Sequence, residues 1–298
     1  MKLHHLSHFI AVAAHGSLHR ASASIGIAQS ALSRSLSELE ASLGTVLLER
    51  GRRGTVLTAA GERFLVRARV IQEELRRSRE EAGQHDGGHD GHVTVAMSPT
   101  AQMLILPAVM RRFRRNWPHV QVTVLDGLAE AFEASLLDGT VDFYVGICPL
   151  RSLDRSIAQS DLTAIGRIVV SKANSKWQAA SSLADLAKAP WIRIRSDDRA
   201  DELSEAYQAT GLPVPGSIYS ATSMLTVLLL LQSIDAVALV PSSWADVQPA
   251  AGAFEQVPVQ DTLGSLDLCV MRRSAIPLTP AAQSMLDLVV TISSPAVP

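Results

Sequence analysis

Apolar residues recur at helical spacing through roughly the first eighty positions and at strand spacing beyond them. Leu3, Leu6, Ile10 and Ala13 form one helical stripe that ends near His15-Gly16. Ser17 caps a second predicted helix, from Leu18 to about Ile25, with Ala21 turned inward. After the turn Gly26-Ile27-Ala28, the residues Leu32, Leu36, Leu39 and Leu43 fall at i, i+4, i+7 and i+11, a buried stripe closed by Gly44. Two short helices joined by a tight glycine-containing turn make a helix-turn-helix. The runs VLLER (Val46 to Arg50) and TVL (Thr55 to Leu57) pair as a hairpin around Gly51-Arg52-Arg53-Gly54, which adds a wing. Thr58 caps a long helix from about Ala59 to Ala82 with one narrow apolar stripe: Phe64, Ala68, Ile71 and Leu75. So narrow a stripe on a charged helix predicts a partner helix, hence dimerisation.

From Val93 short apolar runs alternate with helical stretches. VTVAM, VQVTVL and VDFYVGI read as strands, separated by helices over Leu104 to Phe113 and about Leu128 to Leu137. A second set follows after Asp161: IGRIVV, a helix from about Ser182 to Leu186, WIRIR, a helix after Ser196, SIYSA, a helix around Met224 to Gln232, and AVALVP. LDLCVM and a helix from Pro280 to Val290 finish the chain. The prediction is an α/β region on a mainly parallel sheet, behind an all-α winged helix-turn-helix.

Chemistry then refines the pattern. Ser30, Ser33, Arg34 and Ser37 share one face of the third helix, where surface helices ordinarily carry Glu and Lys. Small hydroxyls let a helix enter the major groove of a duplex; Gln29 and Arg34 suit adenine and guanine edges, and Arg50, Arg52 and Arg53 suit phosphate or the minor groove. Net charge is only −2, yet arginines crowd between Arg50 and Arg79, the footprint of a protein of which one part meets phosphate. Farther on, Ser98-Pro99-Thr100 opens a helix at the end of a strand, where free amides favour an anion. Ser196 and the Thr222-Ser223 pair at comparable junctions, with Gly146, are weaker candidates for the same ligand. The tract Gly83 to His92 holds His85, His89 and His92, but its glycines predict a hinge rather than a metal site. Cys148 and Cys269 are the only cysteines, each in an apolar run, which suits buried thiols in a reducing compartment. No phosphate loop, zinc-protease helix or nucleophile elbow is present, which argues against an enzyme, and no cofactor is expected. The longest apolar run, Leu225 to Leu231, is too short to span a bilayer, and the N-terminus lacks a signal pattern; a cytoplasmic protein with no membrane partner is expected.

The run F9-x5-H15-GSL18-x2-A21-x3-I25-x3-QSALS33-x5-LE40-x2-LG44-x2-LLER50-x6-LT58-x2-G61 resembles the N-terminal domain of LysR-type transcriptional regulators. Departures from that pattern include Ser30 for proline, Leu48 for phenylalanine, Ser22 for alanine, and Ala28 for a capping serine, whose loss costs ~1 kcal/mol. More loosely, LPAVMRRFRRNWPHVQVTVLDG, LLDGTVDFYVGI and AVALVP resemble the family's two-lobed effector domain, itself similar to type 2 periplasmic binding proteins. The resemblance implies a DNA-binding domain over about 1–58, a dimerising linker helix and hinge over about 59–90, and an effector domain over about 91–298. Lobe I would take about 91–165 plus 270–298, and lobe II about 166–269. It further implies a homodimer or homotetramer on promoter DNA, RNA polymerase as a further partner, and a small effector in the cleft. An anionic aromatic or organic acid suits that cleft; a redox-sensing or effector-independent regulator and a solute-binding protein are the rival readings.

Overall fold

The computed structural model describes residues 1–51, 54–149, 153–193, 202–216, 218–221, 223–246 and 254–293. Helices α1 (Leu3–His15), α2 (Leu18–Ile25) and α3 (Gln29–Leu43) enclose one core built from Leu6, Phe9, Val12, Ala21, Leu32, Leu36 and Leu39. Leu3, Ile10 and Leu43 were expected inside; Leu3 and Leu43 are exposed and Ile10 packs at the edge, because the buried face of α1 runs through Leu6, Phe9 and Val12. Ser17 caps α2 through the amide of Arg20, whereas Ala28 gives α3 no side-chain cap. Strands β1 (Leu48–Gly51) and β2 (Gly54–Leu57) pair antiparallel as the wing. It is tied down at its base and again beside its turn. Glu40 Oε1 accepts from the amides of Leu47 and Leu48 at 2.8 and 3.1 Å, and Thr55 N donates to Gly16 O at 2.9 Å.

Thr58 caps α4 (Ala59–His85) through Gly61 N at 2.9 Å. Gly61 is obligatory there, since a Cβ would overlap the Leu47 carbonyl. The helix extends through Gly83 and Gln84, and β3 (Asp90–Met97) starts soon after, so the expected ten-residue hinge shrinks to about Asp86–His89. Gln84 explains the extension: its Nε2 donates to Asp90 O and its Oε1 accepts from Ala281 N.

Strand β3 lies between β4 (His119–Asp126) and β5 (Phe143–Ile147), parallel to both. Val93, Val95 and Met97 face a core with Ile105, Val109, Phe113 and the C-terminal helix α10 (Pro280–Ser293), while Ala96 faces a second core with Leu136, Tyr144 and Met271. Burial on both faces accounts for its near-continuous apolar run. Helices α5 (Pro99–Leu104) and α6 (Leu106–Asn116) divide the single helix expected there, and a 3-10 turn precedes α7 (Glu133–Asp138). Residues 183–188 form turns rather than the expected helix: Ser182 and Asp185 bond reciprocally as at a helix start, but the amides of Leu186, Ala187 and Ala189 reach back only three residues, to Leu183, Ala184 and Leu186. In lobe II, β7 (Trp191–Arg193) is parallel to β8 (Ile218–Ser220) and β9 (Val237–Pro241), with α8 (Glu202–Ala209) and α9 (Met224–Ser233) packed alongside.

The sheet is mixed, a correction to the mainly parallel expectation. Two long strands, β6 (Ile157–Ser171) and β11 (Ser265–Arg273), run antiparallel through its middle, and β10 (Glu255–Val257) pairs on β6. Along β6, residues Ile157 to Gly166 pair with β11 and Arg167 to Ser171 with β9, so one strand serves both lobes and the passage lies at Gly166–Arg167. From Ser265 onward β11 already pairs with lobe I, earlier than the boundary near 270 read from the sequence. An apolar run buried on both faces does not reveal which sheet it joins. No helix among the described residues is long and apolar enough to cross a membrane.

The long helix is locked to lobe I by buried charge. Arg77 and Asp142 are 4% and 3% exposed, and Arg77 Nη2 lies 2.8 Å from Asp142 Oδ1 while donating to Gly139 O at 2.7 Å. Asp142 Oδ2 accepts from Thr94 N at 2.8 Å, and Arg273 binds Glu74 beside the pair. Burial pushes Asp142 up and Arg77 down, and their mutual attraction opposes both shifts. The ion pair is close but poorly angled, leaving Asp142 Oδ1 and Arg77 Nε without hydrogen bonds. Asp142→Ala would strand the arginine, at a cost of about 3–5 kcal/mol. A fall of several degrees in Tm is expected by calorimetry; an unchanged Tm would mean the pair does not hold the helix.

Candidate functional site

Two surfaces carry chemistry. On the head, Gln29, Ser30, Arg34 and Ser37 are exposed along α3 and Ser33 is half-buried. Ser37 Oγ donates to Ser33 O at 3.1 Å, so that hydroxyl is turned back on the helix and keeps the face shallow. Ser35, which the sequence pattern does not single out, is buried on the opposite side and meets His8 Nδ1 at 2.7 Å, fixing the rotation of α3 against α1. The Arg50 side chain and all of Arg52 and Arg53 lie outside the described residues. What is described of the wing stands beside α3, held there by Glu40.

The expected dimer stripe on α4 divides. Phe64 packs edge-to-face on Phe9, with centroids 5.4 Å apart, and Ala68 is fully buried in the head's own core. Neither is free for a partner, because α4 first passes over its own head, and periodicity does not say whose core a stripe enters. Leu75 is half-buried, Ile71 is 40% exposed, and Val66, off the predicted stripe, is 56% exposed.

The second surface is a cleft between the lobes. Pro99, Thr100, Leu128 and Ile147 line it from one side; Arg167, Ile192, Arg193, Glu202, Leu239 and Trp244 are among those facing them. The cavity proper measures about 50 Å³, and the empty space around it, open mouth included, about 610 Å³. As it stands the inner cavity has room for a few waters only. Thr100 Oγ1 receives Trp244 Nε1 across the lobes at 3.4 Å.

Ser98 is the clearest correction at this site. It is 0% exposed and does not line the cleft; its Oγ accepts from Ala101 N at 3.3 Å and lies near Gly146 together with the Tyr144 hydroxyl, which donates to Ile147 O at 3.3 Å. Gly146 lies under the same group, and Ser223 caps α9 through Thr226 N at 3.2 Å without joining the lining. Ser196 and Thr222 fall outside the described residues. The residues missed by sequence reasoning are Arg167, Ile192 and Trp244. Arg167 carried a signal, a lone charge inside the apolar run IGRIVV.

His85, His89 and His92 diverge: His85 lies 3.8 Å from Glu81, His89 meets Trp117 edge-to-face, and His92 Nε2 meets Thr123 Oγ1 at 3.2 Å. Cys148 and Cys269, by contrast, come together. Cys269 lies opposite Gly146 on β11, Cys148 N donates to Asp267 O, and both residues belong to one cluster. Cys148 is only half-buried, against expectation, but burial pushes both thiols up, away from the thiolate that reacts.

Residues 3–62 match the family described as bacterial regulatory helix-turn-helix proteins of the lysR family, and residues 86–292 match the LysR substrate binding domain. The chain is 26% identical over 292 residues to the HTH-type transcriptional regulator GbpR of Azospirillum brasilense, covering 96% of this chain and 85% of that one. It is 31% identical over 282 residues to the HTH-type transcriptional regulator TcbR of a Pseudomonas species, covering 88% and 92%. Among solved structures, that of CbnR, a LysR family transcriptional regulator, has a TM-score of 0.74 at 24% identity and covers 99% of this chain and 100% of that one. Full-length CbnR complexed with its target DNA has a TM-score of 0.73 at the same 24% identity, covering 98% and 100%.

Gly146→Ala would place a Cβ inside contact distance of Tyr144 Oη and 2.6 Å from Ser98 Cβ and Oγ. Overpacking of this kind costs about 1–3 kcal/mol. The variant should melt earlier, and adding Tyr144→Phe, which removes the clashing hydroxyl, should recover part of the loss. No recovery in paired melting curves would place the strain elsewhere.

Proposed function

Because the chain belongs to the LysR-type family of bacterial helix-turn-helix transcription regulators, we propose that it binds promoter DNA as a homodimer or homotetramer and takes a small anionic effector between its lobes. What carries the effector reading is a pair of guanidiniums, Arg167 and Arg193, in the wall of an otherwise mostly apolar cleft. An aromatic or branched organic acid has both the charge and the apolar body for such a wall. Effector binding would bias two arrangements of the lobes, and α4, locked to lobe I, would pass the difference to the head.

For DNA, the support is the exposed run of Gln29, Ser30, Arg34 and Ser37 on a helix fixed against its wing. CbnR, whose structure with its target DNA is known, shares this fold. Oligomerisation has support in the exposed Val66 and Ile71 on α4 and in Leu225 and Leu229, one turn apart on α9. RNA polymerase is the partner through which such a regulator would act on transcription.

A thermal-shift screen of the full chain against small carboxylates and sulfonates tests the effector reading; stabilisation by none of them would end it. Arg34→Ala should relax base preference at one position of each half-site, by about 1–3 kcal/mol of discrimination. Identical sequence logos from binding-site selection would remove Arg34 from base reading. Arg52→Ala or Arg53→Ala should weaken binding to every sequence and lower the salt slope by about one for each phosphate no longer neutralised. A salt titration with unchanged slope would take the wing off the phosphates.

A further inference from the structure

The side chain of Arg167 is only 7% exposed, and its fan of donors is incompletely used. Nη1 donates to Glu202 O at 3.1 Å, and Nη2 to Ser265 O at 3.0 Å and Glu205 Oε2 at 3.3 Å. Nε is buried without a partner. A guanidinium N–H withdrawn from water and left unpaired is unfavourable, and such groups in native structures ordinarily have a partner. Arg167 lines the cleft, where Ile192, Leu239, Trp244, Pro99 and Leu128 supply hydrocarbon and Glu202 is the acidic residue of the described lining. It is also the first residue of β6 beyond the passage between the lobes, and its other two nitrogens clamp the start of β11 to α8.

We propose that Arg167 is the specificity-determining residue of the effector cleft: its Nε–H takes one oxygen of a single carboxylate whose body, about one ring in size, lies against the apolar wall. This rests on the cleft being the effector site. The empty space of the cleft, about 610 Å³ with its mouth, has room for such a body, and the unpaired Nε can meet one acid oxygen. Arg193 and Glu202 line the same cleft with opposite charges that offset each other, so the lining matches one acid group rather than two and dicarboxylates are disfavoured. A carboxylate held there is anchored at the crossing between the lobes, where a small shift changes their relative orientation.

Calorimetry on the full chain tests this with benzoate and cyclohexanecarboxylate, their neutral amides, and phthalate. On the unaltered protein at least one monocarboxylate should bind, roughly 10- to 100-fold more tightly than its amide, the range of a hydrogen bond to a charged group. Phthalate should bind more weakly than benzoate. Arg167→Gln should collapse the acid-to-amide ratio towards one, and Glu202→Gln should narrow the benzoate-to-phthalate gap. The ratio is read within one variant, so a general loosening of the fold does not imitate the result, and the acid–amide comparison on the unaltered chain needs no variant. Equal binding of acid and amide, or a ratio that survives Arg167→Gln, overturns the assignment. Binding of phthalate with neither monocarboxylate also overturns it and leaves the cleft reading standing; silence towards every acid of the wider screen removes the cleft reading itself.

Discussion

A guanidinium and a carboxylate, both withdrawn from water, join the helix that carries the head to the lobe that forms one wall of the cleft. Arg77 and Asp142 meet among Gly139, Thr94, Glu74 and Arg273, so the contact is a network rather than a single pair. Buried ionic networks of this kind are poor sources of net stability against a packed apolar alternative, but breaking one partner away is strongly unfavourable. The consequence is selectivity of arrangement: α4 has one favourable seat on lobe I, and Gln84 repeats the constraint near the helix end by bonding both β3 and α10. The proposed communication between cleft and head would depend on that seat, because a loosely attached helix would not transmit a change in the lobes.

The other half of the design is the shared pair of strands. β6 leaves lobe I at Gly166 and enters lobe II at Arg167 without leaving the sheet, so the lobes are connected through continuous backbone hydrogen bonding. Thr100 and Trp244 add a side-chain contact across the opening. An arginine seated at the passage is therefore in contact with the ligand space and with the element that would bend.

How far this organisation was legible depended on the physical signal. The head could be read because caps, glycines and a 3.6-residue period all agree there, down to Ala28 leaving α3 uncapped. The α4 stripe failed in part because Phe64 and Ala68 are apolar for the sake of their own head, and an amphipathic pattern names no partner. The stretch from Ser182 carries helical residues and even a capping box with Asp185, but it is cut short at Pro190 and closes as turns with three-residue bonds. At the cleft, a serine before a proline reads as a ligand group; Ser98 is instead fully buried and caps its own helix at Ala101, which only the third dimension reveals. The same holds for Cys148 and Cys269, distant in the chain and adjacent in space because β11 returns beside β5.

Where Gly61 meets the Leu47 carbonyl and Thr58 bonds Val46 through its hydroxyl and Leu47 through its amide, the hairpin and the start of α4 are in close contact with little room for relative movement. They must swing as one rigid lever. With 27 residues, its arm is about 40 Å long, and a tilt of only ~5° at the far end sweeps the hairpin through roughly 3–4 Å. That is about the axial rise of one base pair, ~3.4 Å, so a modest rotation at the lobe I end would suffice to shift the register in which the head meets a duplex.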